Sequence, residues 1–288
     1  MGSYLRPTTV TEATEALARA REEGRPRVIV AGATDHYPSR VGQVIDDDVL
    51  DIAGVAGLRR IEAVDGGWWI PALATWTDVA TEPLPPLFDG LRRAALAIGG
   101  RQIQNRATVV GNLVNASPAA DGTPNLLALD AVVTMASVRG ERRAPVADFV
   151  TGNRTTVREV DELVTGLFVP GTDATAPDSA ARATFLKLGS RAYLVISIAM
   201  VAAVLAVDAT RRITAARVAV GACSAVAQRL PELELALLGR PAAAGIGATV
   251  QSAHLAGLSP IDDVRGSAVY RREAAETLVR RALEELVA

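Results

Sequence analysis

Apolar positions change their period several times along this chain, and each change marks an expected element. From Glu12 to Glu23, Ala13, Ala16, Leu17 and Ala20 recur at three- and four-residue spacing, which predicts a helix with one buried face, capped by Thr11 and stopped by Gly24. Arg27-Val-Ile-Val-Ala31 is a short β-branched run that ends in Gly32-Ala33-Thr34-Asp35. Gln43–Asp51, carrying Val44, Ile45, Val49 and Leu50, is expected as the next strand, so this first segment reads β–α–β. Leu58–Glu62 and Gly67–Pro71 form a hairpin pattern around Val64-Asp65-Gly66-Gly67.

A helix is expected to begin near Asp78, and a second to run from Leu87 to Ile98 after the break Pro83-Leu-Pro-Pro. Residues 99–121 are the densest polar and glycine-containing stretch and read as a loop. Leu126–Asp130 returns to helix and Ala131–Ser137 to strand. Residues 171–182 have no hydrophobic period, so a domain boundary is placed there, near 175. Beyond it, strands are expected at Phe185–Leu188 and Ile213–Val220, with the apolar run Val195–Val207 between them, followed by helices Ala243–Leu255 and Arg271–Val287. Gly245-Ile-Gly247 resembles the start of a dinucleotide fingerprint, but Val250 stands at the third glycine position and a plain helix is expected.

Composition narrows the chemistry. The chain has 288 residues, 49% hydrophobic but only 4% aromatic, so its cores must be built from Ala, Val, Leu and Ile. A net charge of −2 with interspersed signs offers no basic stripe for nucleic acid. No apolar run approaches the ~20 residues that span a bilayer. Met1–Val10 lacks the pattern of a signal peptide, so a cytoplasmic location is expected. Cys223 is the only cysteine, and His36 and His254 are far apart in sequence. The chain by itself therefore offers no disulfide, iron–sulfur cluster or thiolate zinc site.

Two loops carry the candidate chemistry. In Val30-Ala-Gly-Ala-Thr-Asp35, a strand ends in small residues whose backbone N–H groups suit an anion such as pyrophosphate; Gly32 permits close approach and Thr34 adds a hydroxyl. In Thr108-Val-Val-Gly111-Asn112-Leu-Val-Asn115-Ala-Ser-Pro-Ala-Ala-Asp121, polar residues alternate with apolar ones that a solvated loop would not need. Taken singly, each is as well explained by an ordinary turn or a buried loop satisfying its own backbone. Phe185-Leu-Lys187-Leu-Gly189-Ser-Arg191-Ala-Tyr193 sets basic residues at a strand end, either solvated or beside a group that gains negative charge.

Residues 99–121, Gly-Gly-Arg-Gln-Ile-Gln-Asn-Arg-Ala-Thr-Val-Val-Gly-Asn-Leu-Val-Asn-Ala-Ser-Pro-Ala-Ala-Asp, resemble the signature of the FAD-binding medium subunits of molybdenum hydroxylases, of the xanthine dehydrogenase and carbon monoxide dehydrogenase type. Tyr4-Leu-Arg-Pro, the Ala31–Asp35 loop, Leu73-Ala-Thr, Glu162-Leu-Val-Thr-Gly-Leu-Phe-Val-Pro, Lys187-Leu-Gly-Ser-Arg and Tyr270-Arg-Arg extend the resemblance over nearly the whole chain. It implies an α+β chain whose FAD-binding domain consists of two α/β subdomains of the vanillyl-alcohol-oxidase (PCMH) type, over residues 1–57 and 58–175. A small C-terminal α+β domain over 176–288, with a three-stranded antiparallel sheet, completes it.

The resemblance further implies that Ile29, Val30, Ala31, Gly32, Ala33, Thr34, Asp35 and His36 embrace FAD together with Thr108, Gly111, Asn112 and Asn115. Asp121, Val164, Lys187 and Ile98 would contact the cofactor or its ring system, with Tyr193 as a further candidate. The implied function is electron transfer, as an oxidoreductase subunit, from 2Fe-2S clusters of a small partner chain to an external acceptor. A large partner chain would carry molybdopterin, in a dimer of heterotrimers. Ala33 and Val110 stand where relatives often have glycine, and His36 where an aliphatic residue is usual. A left-handed backbone at Ala33 or Val110 would cost about 1–3 kcal/mol, with Val110 expected to be the less comfortable. A stand-alone flavin oxidase of related fold and an assembly subunit with a decayed flavin site are the alternatives.

Overall fold

The computed structural model describes residues 2–171, 181–192 and 194–288; the expected boundary near 175 and Tyr193 lie outside them. Strand β1 (Tyr4–Leu5), helix α1 (Val10–Glu22) and strands β2 (Val28–Val30) and β3 (Val49–Asp51) come first. The strands form a parallel sheet in the order β1-β3-β2, with Leu50 fully buried. Helix α1 buries the expected Ala13, Ala16, Leu17 and Ala20, but its cap is Thr9, whose hydroxyl accepts from Glu12 N at 3.1 Å. Thr11 therefore lies inside the helix. Thr9-x-x-Glu12 is the better match to a capping box, and the Glu12 carboxylate in turn accepts from Thr8.

The strand expected over Gln43–Asp51 shrinks to its last three residues. Gly42 turns the chain at φ +79, and Asp48 is drawn to the N-terminal strand, accepting from both N and Oγ of Ser3. Val44 is consequently 96% exposed.

Next come β4 (Glu62–Val64), β5 (Gly67–Pro71), α2 (Trp76–Thr81), α3 (Asp89–Ala97), α4 (Arg101–Gln104), α5 (Val109–Val114) and α6 (Gly122–Ala128). They lead into β6 (Val132–Ser137), β7 (Gly140–Pro145), α7 (Val146–Phe149), the small hairpin β8 (Val150–Gly152) and β9 (Thr155–Thr156), and β10 (Leu163–Pro170). A five-stranded antiparallel sheet runs β4-β5-β10-β6-β7, with Ile70, Val133, Met135 and Leu167 fully buried. Its first strand starts at Glu62, not Leu58. The stretch expected as a loop over 99–121 carries two short helices, α4 and α5: Val109, Val110 and Leu113 recur at helical spacing and bury one face, and Thr108 caps them.

The C-terminal part holds β11 (Arg182–Leu188), β12 (Ala199–Val207), β13 (Ile213–Gly221), β14 (Gln228–Arg229), α8 (Pro231–Leu237) and α9 (Ala268–Val287). The three expected strands form an antiparallel sheet that the two-residue β14 extends. Strand β12 explains the long apolar run. Its Met200, Ala202, Val204 and Ala206 face the core of the N-terminal part, while Ala199, Val201, Ala203 and Leu205 face a second core closed by α8 and α9. A strand buried on both faces reads as continuous apolar sequence, not as an alternation.

Helix α9 covers the expected Arg271–Val287 and begins earlier, capped by Ser267. The helix expected over Ala243–Leu255 is instead two 3-10 turns, Ile246–Thr249 and Ser252–Leu255. Gly245 bends the chain at φ +91, and the Glu284 carboxylate of α9 takes up the N–H groups of Gly245 and Gly247. Among the described residues, no helix is long and apolar enough to cross a membrane. Leu283 lies fully buried in the second core. Leu283→Ala is expected to lower unfolding free energy by about 2–5 kcal/mol in urea titrations, through lost burial plus the residual cavity.

Candidate functional site

A cavity of about 920 Å3 opens where the end of β2, residues 31–36, the α4–α5 segment and the start of β10 converge. Its size falls among ligand clefts of about 300–1,000 Å3. Ile29, Val30, Ala31, Gly32, Ala33, Thr34, Asp35 and His36 line it, and so do Ile98, Thr108, Gly111, Asn112, Asn115 and Val164. Residues far apart in sequence, singled out as two separate loops, thus share one site.

The second loop is the cap and first turns of α5. Thr108 Oγ1 accepts from Gly111 N at 2.9 Å, and Val109 N donates to Ala74 O at 3.0 Å. Trp76 N donates to Ala107 O at 3.1 Å, which sets the start of α2 back to back with the start of α5. Asn112 Oδ1 accepts from Gly122 N at 3.1 Å and fixes the way into α6. The first loop meets this segment backbone to backbone: a Cβ on Gly32 would lie 1.8 Å from the Arg106 carbonyl oxygen. No other residue type permits that approach.

The expected strain falls on the other of the two non-glycine positions. Val110 lies within α5 and is buried, so its side chain costs nothing in backbone geometry. Ala33 sits at φ +55, at a cost of about 1–3 kcal/mol. Ala116 and Arg154, at φ +50 and +55, are also left-handed.

Charge in the cavity is mainly positive. Among the described residues, Arg27, Arg40, Arg154 and Arg158 line it, against the single lining carboxylate of Asp35. None of these arginines was singled out as a site residue from the sequence, although Arg27 and Arg40 flank the first loop. Arg154, on the β8–β9 turn, donates to Asp35 Oδ2 at 3.0 Å and to Asn115 Oδ1 at 2.5 Å. The partly exposed His36 ring has Arg40 Nη1 3.0 Å from its Nδ1 and Asp47 Oδ2 3.7 Å from its Nε2. Burial, then the Arg40 charge, lower the His36 pKa below its ordinary value. Trp76 lines the cavity fully buried, and its indole Nε1 has no acceptor.

Asp121 and Lys187 do not line this cavity. They pair with each other at 2.5 Å, and Ser197 Oγ donates to the other Asp121 oxygen at 2.6 Å. Burial pushes the Asp121 carboxyl above its usual value, against the pull of Lys187 and Ser197. The pair adjoins the cavity through Gly122, whose N–H Asn112 holds. Lys187 also lines a second, smaller pocket of about 430 Å3 with Arg93 and Arg191.

A family model described as the FAD binding domain in molybdopterin dehydrogenase matches residues 1–172. The chain belongs to that family. A second model, the CO dehydrogenase flavoprotein C-terminal domain, matches residues 184–286. The nicotinate dehydrogenase FAD-subunit of Eubacterium barkeri is 32% identical over 68% of this chain and 65% of its own length. The nicotine 6-hydroxylase medium subunit of Paenarthrobacter nicotinovorans is 28% identical over 98% of this chain and 96% of its own. Among solved structures, carbon monoxide dehydrogenase from Hydrogenophaga pseudoflava lacking the Mo-pyranopterin moiety superposes with a TM-score of 0.86 at 25% identity, covering 99% of this chain and 96% of that one.

The chain is thus an oxidoreductase flavoprotein subunit with FAD as its cofactor, and the cavity suits that group. Backbone alone forms its wall at Gly32, and the arginines lining it offset a diphosphate.

Two predictions follow from this geometry. Gly32→Ala forces the loops apart, so FAD affinity in a fluorescence titration should fall at least tenfold, with stability lowered by about 1–3 kcal/mol. For His36, the native state binds fewer protons than the unfolded chain between its lowered pKa and 6.5, so stability rises with pH through that window. Wild type should therefore lose stability relative to His36→Leu as urea melts move from about pH 7.5 to about pH 5.

Proposed function

We propose that this chain holds FAD in the cavity between residues 31–36 and the start of α5 and relays electrons from iron–sulfur clusters of a partner chain to an external acceptor. A further chain carrying molybdopterin would oxidise the substrate, in a cytoplasmic dimer of heterotrimers. The observation that carries this reading is the convergence of both glycine-containing segments on one arginine-lined cavity. Bound FAD supplies the electron-accepting and electron-donating chemistry.

The chain's own residues bind and orient. Residues 32–34 and Thr108 line the cavity, where their backbone N–H groups and the Thr108 hydroxyl would serve as donors; Asn112 ties α5 to α6. Ile98 and Val164 supply apolar walls that exclude water. The division into subdomains 1–57 and 58–175 and a domain 176–288 remains part of the proposal. Val110, the feature that favoured a decayed flavin site, is an unstrained helical residue and supports no such reading.

The test is uptake of flavin by the purified full-length chain. The expected outcome is a yellow protein with flavin absorbance that acid releases as free FAD. A chain that stays colourless after incubation with FAD would sink the proposal.

A further inference from the structure

We infer that Arg154 is a positioning residue for the cofactor: it straps residues 31–36 to the end of α5 across the cavity mouth and so governs how long FAD is held. This rests on the cavity being the FAD site.

Arg154 sits in the tight turn between β8 and β9, apart in sequence from both phosphate-binding segments. Its place is fixed from the backbone outward. Its N–H donates to Ala116 O at 2.8 Å, which joins the hairpin to the residues following α5. Arg154 and Ala116 are both left-handed, so two non-glycine residues adopt an unfavourable backbone to make this junction. The side chain then reaches the other segment. One guanidinium nitrogen, Nη1, carries two hydrogens, and it meets Asp35 Oδ2 at 3.0 Å and Asn115 Oδ1 at 2.5 Å. Each acceptor belongs to a different wall of the cavity, and all three residues line it.

An exposed ion pair by itself contributes little to folding, and the Arg154 side chain is 56% exposed. Its consequence lies elsewhere. Among the described residues, Asp35 is the one carboxylate lining the cavity, and a diphosphate bound there would be repelled by it. Arg154 offsets that charge and holds both walls at a fixed separation. Without the strap, the walls part more readily and the anion leaves faster, while the fold itself is unchanged.

The test uses the full chain, stripped of flavin and titrated with FAD, with dissociation followed by recovery of flavin fluorescence. Arg154→Met should speed FAD release at least tenfold while leaving the melting temperature of the flavin-free chain unchanged. Arg154→Lys, which restores the charge and some donors, should release FAD more slowly than Arg154→Met. Adding Asp35→Asn to Arg154→Met should cause no further loss, because the bridge is already gone and the uncompensated carboxylate is removed.

Equal release from wild type and Arg154→Met overturns the inference, and so does a fall in flavin-free melting temperature that tracks the loss of FAD. A further loss in the double variant, or no recovery in Arg154→Lys, also counts against it. A wild-type chain that takes up no FAD overturns the functional reading as well, so the two failures are distinct.

Discussion

The contact between Gly32 and the Arg106 carbonyl is the constraint on which the site depends. There the end of a parallel strand and the approach to α5 touch backbone to backbone, at a distance that leaves no room for a Cβ. Everything around it reinforces that approach. Thr108 caps α5, Ala107 and Ala74 exchange backbone bonds with α2 and α5, and Asn112 fixes the entry to α6. The result is a cavity with main chain on its wall at Gly32 and arginines set around it from two stretches of the sequence, Arg27 and Arg40 on either side of residues 31–36 and Arg154 with Arg158. Such a surface suits an anionic, elongated cofactor better than a small apolar ligand, because its donors are fixed before the ligand arrives.

The C-terminal sheet has a different task. Strand β12 presents alternate residues to two cores, so the sheet is both the floor of its own domain and a cover on the N-terminal part. Lys187 on β11 and Ser197 just before β12 reach Asp121 from that sheet. A buried charge pair across the two parts gives little net stability, since desolvation offsets the attraction, but it fixes their register at a point one residue from the cavity wall.

Much of this was legible in the sequence where one local rule decides the outcome. Helix α1 followed from its apolar spacing, β11 and β13 were expected as strands with the apolar run that becomes β12 between them, and the pairing of the two glycine segments came from a motif specific enough to name a family. Local rules failed where long-range contacts decide. Gln43–Asp48 has strand-forming residues, yet Asp48 is drawn to Ser3 at the head of the N-terminal strand and Asp47 to His36 and Arg40. Ala243–Leu255 has a helical composition, but Glu284 from α9 holds its turn open at Gly245. Residues 108–115 looked like loop because their polar residues cap and tie a short helix whose apolar face is hidden in the core. Arg154 carried no signal at all, since its partners lie 119 and 39 residues away.

The most direct test of the central claim is a structure determined with FAD bound. The account predicts diphosphate density between residues 32–34 and the Thr108–Asn112 turn, within hydrogen-bond reach of both backbones. Diphosphate density on any other face of the chain, with the space between Gly32 and Thr108 empty, would contradict it.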